Sequence, residues 1–272
     1  MLMAQELARR LRSLEIIDDL QSLSSLGFPV ESPVNENQRL MLETYRYQAR
    51  IGEFDHLRQF LDPGAIAVDV GANNGQYALK LAAECRKCVA VEPIQELAWL
   101  AEALPRNCLF FNVAAGAAEG VGTLAIPIQE GQKQLPLASM SDVFGDAEVF
   151  EQETPIRSLD NILHECCPDE RVGFIKIDVE GFEEAVLKGA RETLARWRPN
   201  LQVEIWSEFV PSRKAMMAEL GYSGLFFFDS HIYAIDQYDS AVHNAPQNAW
   251  RAEAPEEYDP NCYVNNFFFI PI

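Results

Sequence analysis

A strand that ends in an acid and runs into a glycine turn is the first feature of this chain that could do chemistry. Asp69 closes an apolar segment, and Gly71, Asn73 and Gly75 follow it before the next helical segment. Glycines let the backbone approach a ligand without a Cβ clash, and the N-terminus of the next helix offers free N–H groups to a carboxylate. These residues predict a binding turn for a nucleotide-type ligand, with Asp69 as the acceptor for an ammonium group.

A second acid, Glu92, ends the next apolar segment. In nucleotide-binding α/β folds an acid at this position accepts hydrogen bonds from the ribose hydroxyls. The rival interpretation is a nicotinamide dehydrogenase, whose turn reads Gly-x-Gly-x-x-Gly, whereas Ala72 and Asn73 stand where that turn needs glycines. The spacing therefore disfavours a dehydrogenase. A turn whose glycines only reverse the chain is the structural alternative.

The most distinctive acidic string surrounds Asp178 and Glu180, at the end of a later apolar segment. If that strand persists, both side chains point to the same face, and Glu204 on the adjoining strand could join them. Such carboxylates can orient a hydroxyl, act as general base or bind a divalent cation, for which Asp178 and Glu204 would be the ligands. The structural alternative is that Glu180 caps the next helix while Lys176 neutralises Asp178.

Histidines and aromatic residues are further candidates on the same side of the sheet. His231 is a candidate base, His164 lies in a predicted surface helix, and His243 lies in a polar loop that could cover the site. A lone histidine is more often structural, so His231 ranks behind the carboxylates. The aromatic residues that could face an acceptor are Trp206, Phe209, Tyr233 and Trp250.

Short apolar segments separated by helical segments predict the elements that carry these residues. The alternation is typical of a parallel sheet with helices on both faces. Between the third and fourth strands, the segment 122–128, a polar stretch over 129–150 and a segment at 154–163 predict a short antiparallel ribbon, a mobile loop and a helix. Strands are expected over 65–70, 88–92, 109–113, 172–178, 201–206, 224–229 and 265–270.

Two amphipathic helices are expected before the first strand, over 4–26 and roughly 37–60. The segment Asp62-Pro63-Gly64 breaks the second of them, so the chain divides into a helical extension over 1–62 and a catalytic domain over 63–272. The two helices predict a cap on that domain or an oligomer contact, and hence a homodimer.

Composition narrows the classes of partner. Forty-one acidic against twenty-two basic residues give a formal net charge of -19, which repels nucleic acid and anionic membranes alike. No run of about 20 apolar residues predicts a membrane span, and the early charges do not suit a secretory leader, so a cytoplasmic protein is expected. Six cysteines are few for this length, and Cys85 and Cys88 lack the further ligands of a zinc site.

Taken together, the motifs resemble those of the FkbM-type methyltransferases. The resemblance covers about residues 65 to 206 and the final strand, and it implies a Rossmann-like, doubly wound α/β methyltransferase sheet of seven strands with the last one antiparallel. It also implies S-adenosylmethionine as the donor and O-methylation as the reaction. The strings that carry it are Asp69-Val-Gly-Ala-Asn-Asn-Gly75, Glu92-Pro93, Ser158-Leu-Asp160, Lys176-Ile-Asp-Val-Glu-Gly181 and Val186-Leu-Lys-Gly-Ala190.

In folds of this kind, the position of Asn112 contacts the adenine, and the segment 139–142 would cover the outer edge of the cofactor. The predicted function is S-adenosylmethionine-dependent O-methylation of a sugar, glycan or related small-molecule hydroxyl. Two alternatives stay open. One is methylation of a non-carbohydrate natural product at a hydroxyl, carboxylate or amine, and the other is a catalytically silent, cofactor-binding partner subunit.

Overall fold

A computed structural model describes residues 2–229, 231–244 and 264–272. For residues 2–11 and residue 51 it describes the backbone only. Trp250, one of the aromatic candidates, lies outside the described residues. The strands are β1 (Ile66–Val70), β2 (Lys87–Val91), β3 (Cys108–Phe111), β4 (Ala114–Ala115), β5 (Gly120–Gln129), β6 (Gln132–Lys133), β7 (Val149–Arg157), β8 (Val172–Ile177), β9 (Asn200–Glu204), β10 (Tyr222–Phe228), β11 (His231–Ala234) and β12 (Asn266–Pro271). The α-helices are α1 (Leu2–Ser25), α2 (Glu36–Ile51), α3 (Gln76–Glu84), α4 (Leu100–Ala103), α5 (Leu159–Cys166), α6 (Glu183–Lys188), α7 (Arg191–Trp197), α8 (Val210–Glu219) and α9 (Ser240–His243).

The main sheet has the strand order β11-β10-β12-β9-β8-β1-β2-β3. Strands β3, β2, β1, β8 and β9 run parallel, and β12 lies antiparallel between β9 and β10. The strand order reverses between β1 and β8, where ligands bind in folds of this kind. The predicted Rossmann-like α/β class and the antiparallel last strand are therefore confirmed.

The sheet has eight strands among the described residues, so the expected count of seven is wrong. The additional strand is β11, which pairs antiparallel with β10, Phe228 lying opposite His231. Asp229, directly after the end of β10, has a φ of 46°, in the left-handed region that suits a tight reversal. A segment of four residues is too short for its hydropathy to indicate a strand.

A second sheet, with the order β4-β7-β5-β6, covers the region predicted as ribbon, mobile loop and helix. The prediction is wrong over β7, a strand that the sequence pattern does not indicate. Its inward side chains include the polar Gln152 and Thr154, so the alternation of apolar and polar residues is lost. The predicted helix begins after it, at α5, where the Ser158 hydroxyl accepts a hydrogen bond from the Asn161 N–H. The ribbon is thus longer and more ordered than its polarity indicates.

The N-terminal extension packs onto helix α3. Met41, Tyr45 and Phe54 are buried in the same apolar cluster as Ala78 of α3 and Phe174 of β8. The predicted second helix is too long, because α2 ends at Ile51. Gly52 then takes a φ of 94° and closes the helix with a left-handed cap.

The Cys85-x-x-Cys88 spacing has a local explanation. Cys85 is the C-cap of α3 and Cys88 lies in β2, so the pair joins a helix end to a strand. The groups of potential metal ligands found in the described residues contain no cysteine. In the same part of the chain, no helix combines the length and apolar character needed to cross a membrane.

Candidate functional site

The turn after β1 depends on a glycine at position 71. Gly71 has a φ of 83°, and a Cβ there would lie 1.7 Å from the carbonyl oxygen of Asp178. The Gly71 N–H donates to the carbonyl oxygen of Val91 at 2.9 Å, which ties the turn to β2. The residue type is therefore required by the contact between this turn and the turn after β8.

Two more residues of the turn lie close to the first turn of α3. Gly75, with a φ of 80°, is the N-cap of α3, and Asn73 also has a positive φ, of 45°. The side-chain oxygens of Asn73 and Gln76 are buried and lack a hydrogen-bond partner among the described residues. Gln76 was not predicted, although its place at the start of α3 could have indicated it. Buried acceptors of this kind suit a ligand that carries hydrogen-bond donors.

Glu92 extends from the end of β2 into the same place and is 4% exposed. Its carboxylate accepts from the Asn73 N–H at 2.8 Å and from the Ile94 N–H at 2.9 Å. A carboxylate offers about four acceptor positions, so capacity remains for two hydroxyl donors. Burial raises the pKa of Glu92 to about 7, and these two N–H groups oppose that rise.

Asp69 lies beneath the turn and is completely buried. Neither carboxylate oxygen makes a well-formed hydrogen bond among the described residues, and its ion-pair partner is Lys176, whose Nζ lies 3.9 Å away. Burial raises the pKa of Asp69 to about 7, while Lys176 lowers it. The predicted contact of Asp69 with an ammonium group stays a prediction, because this residue is not among those that line the cavity.

A cavity opens at the carboxyl ends of β1, β2 and β8. The space between its walls, counted with its open mouth, is about 640 Å³, within the range typical of small-molecule sites. Apolar side chains from the second sheet and from the segment between its strands β6 and β7 cover one side, among them Leu124 and Met140. Of the predicted site residues, the cavity is lined by Gly71, Asn73, Glu92, Asp178 and Glu180.

Two other predicted contributors to this cavity hold its walls in place. Ser139 donates through its hydroxyl to the carbonyl oxygen of Glu180 at 2.6 Å, so the segment 139–142 lies against the turn after β8. Asn112 donates from its amide nitrogen to the carbonyl oxygens of Glu92, at 2.7 Å, and Ile94, at 3.1 Å. Asn112 thus supports the turn after β2, and its contact with adenine stays a prediction.

Three acids form what we call the carboxylate group: Asp178, Glu180 and Glu204. One carboxylate oxygen from each lies within 4.8 Å of the others. The expected geometry is nevertheless wrong, because β8 ends at Ile177 and Glu180 has a φ of 50°. A turn, and not strand alternation, therefore brings Glu180 to Asp178. A residue other than glycine with positive φ is uncommon and often marks a functional site.

The surroundings of the carboxylate group differ between its members. Lys176 donates from Nζ to Asp178 at 2.9 Å, so the predicted ion pair exists beside the cluster. Trp206 donates from its indole nitrogen to one oxygen of Glu180 at 3.1 Å. Burial, and then the charge of Asp178, raises the pKa of Glu180 to about 7, and the same two causes raise the pKa of Glu204. Glu180 does not cap α6, whose N-cap is Phe182.

The histidines are not brought to this group. His231 lies on β11, and the three strands β10, β12 and β9 separate it from β8, a distance of about 19 Å at ordinary strand spacing. His164 is exposed near the end of α5. His243 is buried in α9 and not in a polar loop, packed on Phe226 with ring centroids 4.8 Å apart. The structure therefore does not support His231 as a base for this group.

The carboxylate group offers only oxygen ligands, which suit a hard divalent cation. Lys176, however, already donates to one Asp178 oxygen, so a cation at Asp178 and Glu204 stays a prediction. A second acidic group, formed by Glu15, Asp19 and Glu84, has a structural explanation. All three pair with the ammonium of Lys80, which is 1% exposed.

Comparison with known proteins gives one family. Residues 69–224 match the family model described as the methyltransferase FkbM domain. This span begins at Asp69 and includes the binding turn, Glu92 and the whole carboxylate group. No curated protein matches the sequence.

Three solved structures to which the chain is similar are distant in sequence. Methyltransferase FkbM from Methylobacillus flagellatus KT is 12% identical with a TM-score of 0.45, covering 94% of this chain and 60% of that one. Precorrin-6y C5,15-methyltransferase from Geobacter metallireducens GS-15 is 10% identical with a TM-score of 0.38, covering 84% and 86%. The plantazolicin methyltransferase BpumL, solved with a triazolic desmethylPZN analog and SAH, is 9% identical with a TM-score of 0.34, covering 97% and 99%.

Proposed function

Because the chain belongs to the FkbM methyltransferase family, we propose that it transfers the methyl group of S-adenosylmethionine to a hydroxyl of a sugar, a glycan or a related small molecule. One observation carries the proposal. The predicted cofactor turn and two members of the carboxylate group, Asp178 and Glu180, line the same cavity. A methyl donor bound there would lie beside side chains that can take a proton from an acceptor.

The residues of the cavity fit the proposed cofactor. Glu92 has spare acceptor capacity for two ribose hydroxyls, and the unpartnered oxygens of Asn73 and Gln76 are further acceptors. The N-terminus of α3 is suited to the carboxylate of the amino-acid portion. Asp69, which has no hydrogen-bond partner among the described residues and lies 3.9 Å from the Nζ of Lys176, offers a counter-charge for the ammonium group of the cofactor, directly or through water.

S-adenosylmethionine supplies a methyl group that is already bonded to a good leaving group, so alignment and removal of the hydroxyl proton remain for the protein. Glu180 suits the removal of that proton. It lines the cavity, Trp206 occupies only one of its oxygens, and its pKa of about 7 is close to the best value for a base at neutral pH.

Asp178 and Glu204 would orient the acceptor. Lys176 holds Asp178 in place by donating to one carboxylate oxygen, and the acceptor positions that remain can take a hydrogen bond from a hydroxyl. An acceptor rich in hydroxyl donors and free of negative charge suits such a group, as a sugar does. Trp206, stacked on Phe209 with centroids 6.0 Å apart, adds an aromatic surface beside it.

Calorimetric titration with S-adenosylhomocysteine, with nicotinamide dinucleotides as the comparison, tests the cofactor. Binding of S-adenosylhomocysteine alone supports the proposal, and preferential nicotinamide binding would overturn it. Transfer of labelled methyl to neutral glycosides, with and without magnesium, then tests the acceptor. Labelling of natural-product hydroxyls or amines instead would favour the non-carbohydrate alternative, whereas cofactor binding without transfer to any acceptor would favour the silent partner subunit.

Substitution of Glu92 by alanine is expected to weaken S-adenosylhomocysteine binding by about 1.5–3 kcal/mol, roughly ten- to more than a hundredfold, because charge-assisted bonds to the ribose are lost. Calorimetry of the variant measures the loss. Glu96→Ala is the matched control, since Glu96 is 41% exposed and pairs with Lys133 on the surface. Unchanged affinity in Glu92→Ala would remove this residue from the ribose site.

Cofactor affinity is also expected to depend on pH. The pKa of Glu92 is raised to about 7, and hydroxyl donors favour the ionised carboxylate, so affinity should be highest above pH 7 and fall as the pH drops below it. Titrations with S-adenosylhomocysteine across this range measure the slope. Glu92→Gln should make it shallower, because glutamine does not titrate and the slope that remains would come from Asp69, whose pKa burial also raises to about 7. A slope that is identical in wild type and variant would contradict the assignment.

A further inference from the structure

A hydrogen bond connects the N-terminal extension with the helix that follows the cofactor turn. The Tyr77 hydroxyl of α3 donates to the Glu53 carboxylate at 3.0 Å. Glu53 follows the cap of α2, and it lies outside the span 69–224 that matches the family. Tyr77 is 5% exposed, so this bond is formed in the interior between the two parts of the chain.

The direction of this bond is fixed by Gln202 of β9. The Gln202 amide nitrogen donates to the Tyr77 hydroxyl at 3.0 Å and to the Asn266 side-chain oxygen at 2.8 Å. Because both amide hydrogens are used, the Tyr77 oxygen is an acceptor from Gln202. Its own hydrogen therefore goes to Glu53. Tyr77 is held from both sides, by the extension and by the sheet.

The ring of Tyr77 in turn contacts the side-chain ammonium of Lys176, which lies beside the carboxylate group. Its centroid lies 4.4 Å from the Nζ of Lys176, which is 3% exposed. Because this ammonium group is almost inaccessible to water, the side chains around it determine its position. The aromatic face of Tyr77 is one of the surfaces that attract it. Lys176 donates to Asp178, which lines the cavity. The contacts thus run from Glu53 through Tyr77 and Lys176 to Asp178.

We propose that Glu53 is a positioning residue of the active site, which acts through Tyr77 to hold Lys176 and hence the Asp178 carboxylate toward the reacting centre. The extension is then a working part of the enzyme and not only a cap or an oligomer contact. This inference rests on the proposed function, since Asp178 is placed beside the methyl group only if the cavity binds S-adenosylmethionine.

A pair of cofactor analogues tests the proposal without knowledge of the acceptor. S-adenosylhomocysteine lacks the methyl group, whereas sinefungin carries an amine in its place and remains cationic there. The ratio of their dissociation constants measures how well carboxylates face the reacting centre. Wild type is expected to bind sinefungin about tenfold more tightly, the size expected for one charge-assisted hydrogen bond.

Three variants separate the effect of the Tyr77–Glu53 hydrogen bond from the effect of the Glu53 charge and from a loss of folding. Glu53→Gln keeps an acceptor for Tyr77 and should keep the ratio, whereas Glu53→Leu and Tyr77→Phe should lower it by about fivefold and leave the homocysteine product bound as in wild type. Tyr77→Phe keeps the ring over Lys176 and is the variant to rely on if Glu53→Leu fails to fold, as thermal unfolding will show.

Three outcomes overturn the inference: a wild-type ratio near one, an unchanged ratio in Tyr77→Phe, or a loss in Glu53→Gln as large as in Glu53→Leu. Failure of the proposed function looks different, because the wild-type protein would then bind neither analogue. An equal loss of both affinities in Tyr77→Phe is a case of the second outcome, because the ratio stays unchanged, and it would make the bond merely structural.

Discussion

Substitution of Glu180 by glutamine is expected to lower kcat by about 10²–10⁴-fold, the usual contribution of a general base, without weakening S-adenosylhomocysteine binding. Glutamine keeps the size of the side chain and can still accept from the Trp206 indole. It cannot take a proton from an acceptor hydroxyl. The loss should therefore appear in turnover at saturating cofactor and acceptor, and calorimetry should show an unchanged cofactor affinity.

The pH profile separates a base from a residue that only shapes the cavity. A base acts in its ionised form, and the pKa of Glu180 is about 7, so wild-type kcat should rise with pH through about 7 and level off above it. In Glu180→Gln the residual rate should lose this step. Saturation with both substrates keeps the titration of Glu92 in the free enzyme out of the measurement.

The control for this variant is Glu184→Gln on α6, where Glu184 is 45% exposed and pairs with Lys188 and Arg213, from both of which a glutamine oxygen can still accept. It carries the same chemical change four residues further along the chain and should retain wild-type kcat. Wild-type turnover in Glu180→Gln would exclude Glu180 as the base and return that role to Asp178 or Glu204.

The second large effect is expected at Gly71. Alanine there should abolish measurable S-adenosylhomocysteine binding and destabilise the fold by about 3 kcal/mol or more, because its Cβ would overlap the carbonyl oxygen of Asp178. The carbonyl oxygen of Asp178 belongs to the backbone and cannot rotate away as a side chain can. To avoid the overlap, either the turn after β1 or the segment that contains Asp178 must therefore move. For a chain of this size the loss corresponds to a fall in Tm of roughly 6–12 °C.

Gly131→Ala provides a matched control for that variant. Gly131 has a φ of 75°, close to the 83° of Gly71, but a Cβ there would meet no atom within 4 Å. It should cost only about 1 kcal/mol from the backbone conformation and leave cofactor binding intact. Thermal unfolding and calorimetry of both variants test the difference. Equal effects would mean that the contact with Asp178 is not what requires a glycine at position 71.

Several features were predictable because they depend on residues close in sequence. The strands of the main sheet follow from short apolar runs, and the turn between β1 and α3 follows from Gly71 and Gly75. Strand β11 and the full ribbon of β5 and β7 were not predictable in the same way. Their signals are short or polar, and pairing with a neighbouring strand, which hydropathy does not report, stabilises them.

The amino-acid sequence by itself determined the fold class, the glycine turn after β1 and the acids at the ends of β1, β2, β8 and β9, because backbone conformation and hydropathy period are local properties. Only the tertiary structure decided which of those acids meet. It brings Glu180 to Asp178 through a left-handed turn, leaves His231 at the far edge of the sheet and places Glu53 against Tyr77. Contacts between distant segments arise from packing and buried hydrogen bonds, and no spacing along the chain encodes them.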